Sequence, residues 1–422
     1  MIPPNPPAGH TSPSDPPLRL CLGVTVSGSA WLLRGQAKWF RERGYEVHLV
    51  SGDGTEVREL ARNEGAIFHP IRIERRIGPH TDVFTLLRLV RLFRTIRPDV
   101  VNVGTPKMGL LGTIAARMAG VRRVIYTCRG LRYEHERGWI RRVLKGAERV
   151  SGRLAQTVVC VGPALREQAV ADHTFPEAKS VVLGKGSSNG VDPARVGPDR
   201  VDVHARADLE TRHDLRGRFV FGFVGRLVDR KGVHEVVTAF ERVQRAHPDT
   251  LLLMVGPHDL SQLSDPSILR RIDEHPSIRR TGYLPDAASA MSLMDVLVVP
   301  SWWEGFGNVF LEAAAMGVPV VTSNGTGCRD AVLHGFNGTV VPVRDIAALE
   351  GAMRRYVHDP ETRASHGRNG QLWAREFLPE RIWGGLDALY RDPYVADPHG
   401  NAGTGGISSG GVPGKAAKER PS

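Results

Sequence analysis

The stretch EGFGNVFLEAAAMGVPVV (304–321) sets two carboxylates, Glu304 and Glu312, eight positions apart around a glycine-rich turn, in a chain whose net charge is +11. An apolar run precedes it and reads as a strand at 296–299 that stops at Pro300. The loop then carries Glu304, Gly305, Phe306 and Gly307, and Asn308 is the expected N-cap of an Ala-rich helix. A helix start presents unpaired backbone N–H groups and the positive end of its dipole, and glycines let an anion reach the main chain. The amides of Gly307, Asn308 and Val309 are therefore expected to seat a diphosphate. Carboxylates beside such a seat are useful only against hydroxyls, such as those of a ribose or a hexose. Taken singly, either glutamate reads as a solvated charge or a helix-dipole partner. The glycines and the upstream strand make the pair a candidate site.

A second constellation is GFVGRLVDRKG (222–232), in which Gly225 and Arg226 follow a strand end and Lys231 opens the next helix. Two cations in such a turn neutralise the charge that develops on a nucleoside diphosphate leaving group, with no metal required. Other chemistries fit less well. There is no D-x-D for a metal-bridged nucleotide, HEVVT (234–238) lacks the second His of a zinc motif, and no G-x-G-x-x-G follows a strand. Cys21, Cys128, Cys160 and Cys328 are far apart and form no C-x-x-C pair, which suits a reduced, cytoplasmic setting. No cofactor is expected.

These loops need strands to hold them. LRLCLGVTVS (18–27), EVHLVSGDG, the run at 99–104 after a helix ending at Pro98, and RRVIYTCRG alternate with helical spacing, which is the pattern of a parallel sheet covered on both faces. The pattern restarts at RFVFGFVGRL and continues through TLLLMVG and SLMDVLVVPS. The expectation is α/β: two doubly wound Rossmann-like domains facing a shared cleft, because open α/β sheets bind ligands at the carboxyl ends of their strands. With 422 residues, two cores of ordinary size are affordable. We assign 1–17 as a disordered lead, 18–190 as an N-terminal domain and 191–217 as a connection. A second domain follows at 218–379, then a helix at 380–394 packing back on the first domain, and a disordered tail at 395–422.

The glutamate pair, the turn with Arg226 and Lys231, and EAAAMGVPVV resemble the family 4 retaining glycosyltransferases of GT-B fold, in the branch serving bacterial capsular and exopolysaccharide synthesis. LRGQ (33–36), TPKMGLLG (105–112), YTCRGLRYE (126–134) and GKGSSNGVD (184–192) extend the resemblance to roughly residues 18–394. The resemblance implies that Glu304 contacts the donor sugar, Glu312 the ribose, and Arg226 with Lys231 the diphosphate. It places Gly35 across the cleft from that diphosphate, and Arg34, Lys107 and Arg129 near the acceptor or the transferred sugar. Relatives often carry His where this chain has Arg129, which has no acceptor lone pair, so an anion contact fits that position better. The partners implied are a nucleotide-sugar donor, a UDP-sugar in our reading, and a polyprenyl-diphosphate-linked or polysaccharide acceptor. A nucleotide-sugar epimerase and a non-catalytic nucleotide-sugar-binding subunit are the alternative readings.

Charge is uneven along the chain. Residues 1–200 hold 31 Lys and Arg against 18 Asp and Glu, and residues 201–422 hold 25 against 27. Helices expected at 83–97, with Arg88, Arg91, Arg94 and Arg97, and at 138–155, with Trp139, are basic and amphipathic, which suits the anionic cytoplasmic face of a membrane. Nucleic acid is not the expected partner, since no aromatic-basic platform or recognition helix stands out.

Overall fold

The computed structural model describes residues 16–74 and 78–392. The expected tail at 395–422 lies outside the described residues, as does the expected lead apart from Pro16 and Pro17. Seven strands form the first sheet: β1 (Leu18–Gly23), β2 (Tyr45–Ser51), β3 (Ile67–Pro70), β4 (Val100–Gly104), β5 (Arg123–Cys128), β6 (Thr157–Cys160) and β7 (Ser180–Val181). Six form the second: β8 (Phe219–Val224), β9 (Thr250–Val255), β10 (Ile278–Gly282), β11 (Val296–Val299), β12 (Val320–Ser323) and β13 (Gly338–Val341). All the pairings are parallel, in the orders β3-β2-β1-β4-β5-β6-β7 and β10-β9-β8-β11-β12-β13.

Parallel strands need helical crossovers, and the helices cover both faces of each sheet. The central strands are therefore unbroken apolar runs, and β4, β9 and β11 are buried at every residue. Each sheet reverses its order once, between β1 and β4 and between β8 and β11. Such switch points leave a crevice beyond the strand ends, because successive crossovers depart to opposite sides. The segments after β8 and β11 carry both of the constellations read from the sequence.

The final helix, Pro379–Arg391, belongs to the first core: Ile382, Trp383, Leu386 and Tyr390 are buried with Leu20, Leu22 and Phe40. Tyr45 donates to Asp387 at 2.7 Å, and Asn102 Nδ2 donates to the Tyr390 hydroxyl at 2.6 Å. The stretch 191–217 holds a helix, Val203–Arg212, whose start is capped by Asp202, and Leu209 and Leu215 are buried in the core of the second sheet. No helix among the described residues is long and apolar enough to cross a membrane.

Candidate active site

A cavity of about 840 Å³ opens between the two sheets. Its second-domain wall comes from the two switch-point loops: Gly225, Arg226, Arg230 and Lys231 after β8, and Trp303 through Val309 with Glu312 after β11. Gly28, Ser29, Trp31 and Leu32 after β1 and Arg129 after β5 face them from the first domain. An adjoining hollow of about 930 Å³ continues past Trp31 and Arg226 to Pro257 and Tyr283. The two share Gly28, Trp31, Gly225 and Arg226, and together they form one slot.

Glu304 is nearly buried at 9% exposure, and its carboxylate is held on both sides. Lys231 Nζ and Ser301 Oγ both bond Oε1, the serine at 2.7 Å, and Arg230 Nη1 lies 4.0 Å from Oε2. Burial alone would raise this carboxyl, but Lys231, Arg230 and the two hydrogen bonds outweigh it and hold Glu304 below its ordinary value. Its loop is fixed from behind. Glu304 N donates to Thr326 O at 2.8 Å, Trp302 N to Arg230 O at 2.8 Å, and Trp302 Nε1 to Glu235 Oε1 at 2.8 Å.

The helix that follows is Asn308–Ala315, and its N-cap is Gly307, in the left-handed region at φ 78°. Asn308, expected as the cap, is instead the first helical residue, and its Oδ1 accepts from Ser187 Oγ of the first domain at 2.9 Å. The reason is the turn itself: only glycine takes that backbone conformation cheaply, and it has no side chain to cap with. This end of the helix has no side-chain cap, and Gly307, Asn308 and Val309 line the cavity. Phe306 points its ring the other way, into the seam between domains against Phe377 at 5.4 Å. The helix body packs closely on the helix Pro360–Ala374, where a Cβ on Gly370 would come within 3.3 Å of Ala314 Cα.

Glu312 lies on the cavity floor, partly open to it. Burial dominates its titration and pushes it up to about 7, against the pull of Arg195 and Arg34. The two glutamates therefore differ. Glu304 is a clamped anion, whereas Glu312 titrates near neutrality.

With this geometry in hand, residues 208–373 match the family described as Glycosyl transferases group 1, and residues 26–195 match Glycosyltransferase Family 4. The chain is 34% identical over 369 residues to the capsular polysaccharide biosynthesis glycosyltransferase CapM of Staphylococcus aureus, covering 87% of this chain and 95% of that one. The chain belongs to the family 4 glycosyltransferases. An Escherichia coli UDP-Gal:alpha-D-GlcNAc-diphosphoundecaprenol alpha-1,3-galactosyltransferase is 25% identical over 75% of this glycosyltransferase and 81% of its own length. Among solved structures, Anabaena Alr3699/HepE in complex with UDP shares the GT-B fold at TM-score 0.71 and 19% identity, covering 88% of this chain and 98% of that one. A sucrose-phosphate synthase from Thermosynechococcus elongatus does so at 0.73 and 20%, covering 90% of this chain and all of that one.

Three first-domain candidates lie apart from the main cavity of this glycosyltransferase. Gly35, at φ 81°, is packed under the Trp383 ring, and its N–H donates to Glu64 Oε1 at 2.6 Å. Glu64 also takes the N–H groups of Ala37 and Lys38, at 3.0 and 3.3 Å. The start of the helix Gln36–Arg41 thus already holds a carboxylate, and the loop that faces the cavity is the one at Gly28–Leu32 instead. Lys107, in the first turn of the helix Pro106–Met118, pairs with Asp82 Oδ1 at 2.6 Å and is largely buried. Arg34 is exposed, lines the adjoining hollow and reaches Glu312 only through its field.

Sequence reasoning missed Arg230, although it stands beside Lys231, because only a cation facing the cavity matters and spacing does not show which way a turn residue points. It also missed Trp303, over which Arg230 lies at 5.0 Å, and Arg195, whose charge opposes the upward push of burial on Glu312.

Proposed function

We propose that this glycosyltransferase moves a hexosyl unit, with retention of configuration and without a metal, from a nucleoside diphosphate sugar to a lipid-linked or polysaccharide acceptor in cell-surface polysaccharide synthesis. The observation that carries this reading is the switch-point wall of the cleft. An uncapped helix start and three cations, Arg226, Arg230 and Lys231, converge where Glu304 and Glu312 also open. The positive set suits a diphosphate, the carboxylates suit hydroxyls, and the slot is of a size that holds a small molecule. Arg226, 3.8 Å from Asp259 and half-exposed, would close on the phosphate together with Lys231. The names of the Staphylococcus aureus and Escherichia coli relatives support a polysaccharide or diphosphoundecaprenol-linked acceptor, and the UDP complex of the Anabaena structure supports UDP as the carrier.

In this mechanism the cations and amides stabilise charge gathering on the departing diphosphate, which itself takes the acceptor's proton, so no separate protein base is needed. Transfer from UDP-, GDP- and dTDP-sugars to a short polyprenyl diphosphate sugar tests it. NMR should find the donor's anomeric configuration in the product, and EDTA should leave the rate unchanged. An inverted product would overturn the retention, and an EDTA-abolished rate the metal independence.

The first domain also supports a membrane-surface role. Val83, Phe84 and Leu87 on the helix Pro79–Ile96, and Trp139, Ile140 and Val143 on the helix Gly138–Leu154, are exposed. Arg88, Arg91 and Arg94 flank the first set and Arg141 and Arg142 the second, and the helix Pro106–Met118 packs between the two. Exposed apolar groups ringed by arginines favour an anionic bilayer surface. Flotation with anionic vesicles should carry the protein at low salt and release much of it at high salt; absence of binding at low salt contradicts this role.

A further inference from the structure

Six described residues other than glycine have a positive φ, and Ser187, at 77°, is the one among them that is buried, at 3% exposure. Backbone of this kind suits glycine, which occupies the same region close by at Gly186 and Gly190. A serine kept there, out of solvent, points to a task for its hydroxyl.

Every bonding position of that hydroxyl is taken. Its oxygen accepts from the Gly190 N–H at 3.0 Å and from the Asn189 N–H at 3.4 Å, which uses both lone pairs, and its one hydrogen goes to Asn308 Oδ1 at 2.9 Å. With no lone pair left, Ser187 cannot receive an N–H from Asn308. Its bonds therefore decide which end of the Asn308 amide faces the first domain, a choice that the shape of the side chain leaves open. Oδ1 faces Ser187, and Nδ2 keeps both hydrogens with no protein partner among the described residues. Asn308 lines the cavity and opens the uncapped helix start, between Gly307 and Val309.

The loop that carries Ser187 is itself firmly set. Ser187 N donates to Val161 O at 2.6 Å, and a Cβ on Gly186 would come within 2.6 Å of the Phe306 ring. Phe306 and Asn308, on either side of Gly307, thus both rest on residues 186–187 of the first domain.

We propose that Asn308 Nδ2 is a further hydrogen-bond donor to the diphosphate of the donor substrate, and that Ser187 is a positioning residue that turns it toward the cleft. The inference rests on the proposed donor site. The cations there supply charge without direction, whereas an oriented amide supplies a directed bond, and bonds to ionised oxygen are stronger than those between neutral groups.

Titration calorimetry with UDP and with GDP, alongside melting temperatures, compares the wild type with Ser187→Gly, Asn308→Ala, their double variant and Asn308→Asp. In Ser187→Gly the relief of backbone strain offsets the lost hydroxyl bonds, so the melting temperature should change little while the better-binding nucleotide weakens about tenfold. Asn308→Ala should weaken it at least as much, and the double variant no further than Asn308→Ala, because Ser187 acts through Asn308. Asn308→Asp keeps an acceptor for Ser187 but puts a carboxylate oxygen in place of the free amide nitrogen, so it should bind more weakly than Asn308→Ala. Wild-type affinity in Ser187→Gly, whatever its melting temperature, or losses that add in the double variant overturn the positioning role. Wild-type affinity in Asn308→Asp overturns the role of Nδ2, whether or not Ser187→Gly folds. These outcomes leave the donor site standing, whereas a wild-type protein that binds neither nucleotide overturns that site as well.

Discussion

Lys231→Ala lowers kcat by about 10²- to 10³-fold and destabilises the protein, Glu304→Ala abolishes transfer, and the double variant regains stability without regaining activity. The argument starts from the buried pair. Lys231 and Glu304 are 12% and 10% exposed at the side chain, and each is the other's main counter-charge. Removing Lys231 leaves a carboxylate enclosed by Ser301 and a distant Arg230, an uncompensated charge whose cost is about 3–5 kcal/mol. Glu304 then titrates upward, because the strongest influence holding it down has gone. Removing Glu304 as well relieves that cost, so the stabilities of the two single variants should not add. Activity follows a different rule. The cation is needed on the departing diphosphate and the carboxylate on the sugar, and neither loss repairs the other. Urea midpoints and initial rates on the same four proteins check both halves, and a fully active double variant would refute the site.

The second large effect concerns Glu312. Its carboxyl titrates near 7 in the folded protein against 4.5 when free, because burial penalises the charge. Below about pH 4 both states are protonated and nothing is lost. Between 4.5 and 7 only the unfolded chain ionises, so this group's contribution to stability falls as pH rises, by on the order of 3 kcal/mol in total. Glu312→Gln should therefore stabilise the protein at pH 8 and not at pH 4. Donor binding should show the opposite trend. Ribose hydroxyls donate to the ionised carboxylate, so binding draws the titration downward and releases a proton near pH 6–7. Affinity for a nucleotide sugar, whose own diphosphate does not titrate there, should strengthen up to about tenfold from pH 6 to pH 8. In Glu312→Gln the slope should vanish. Calorimetry in two buffers of different ionisation enthalpy measures the proton count directly.

The parts of this site that were legible in the sequence are those set by one chain segment. The strand at 296–299, the glycine turn and the helix after it are local, and so are the turn and cations after β8. Both sit at strand ends because a parallel α/β pattern leaves them nowhere else to go. What was not legible depends on contacts between distant segments. Nothing near Gly35 in the chain shows that Glu64, from the next helix, fills that helix start, or that Trp383, from the far end of the chain, covers it. Asn308 is a good cap by residue type, but the left-handed turn at Gly307 and the hydroxyl of Ser187 from the other domain give it another task. Lys107 likewise looks available until Asp82, from the preceding helix, is seen beside it. The helix Val203–Arg212 was hidden by its charged, weakly apolar composition, since only Leu209 of that helix is fully buried.

The most direct measurement is a crystal structure with a nucleotide sugar bound in the cleft. The diphosphate should lie against the Gly307–Val309 amides with Lys231 Nζ, Arg226 and Arg230 around it, the ribose hydroxyls on Glu312, and the sugar on Glu304. A nucleotide seated elsewhere, with Glu304 and Glu312 contacting neither sugar ring, would contradict the account.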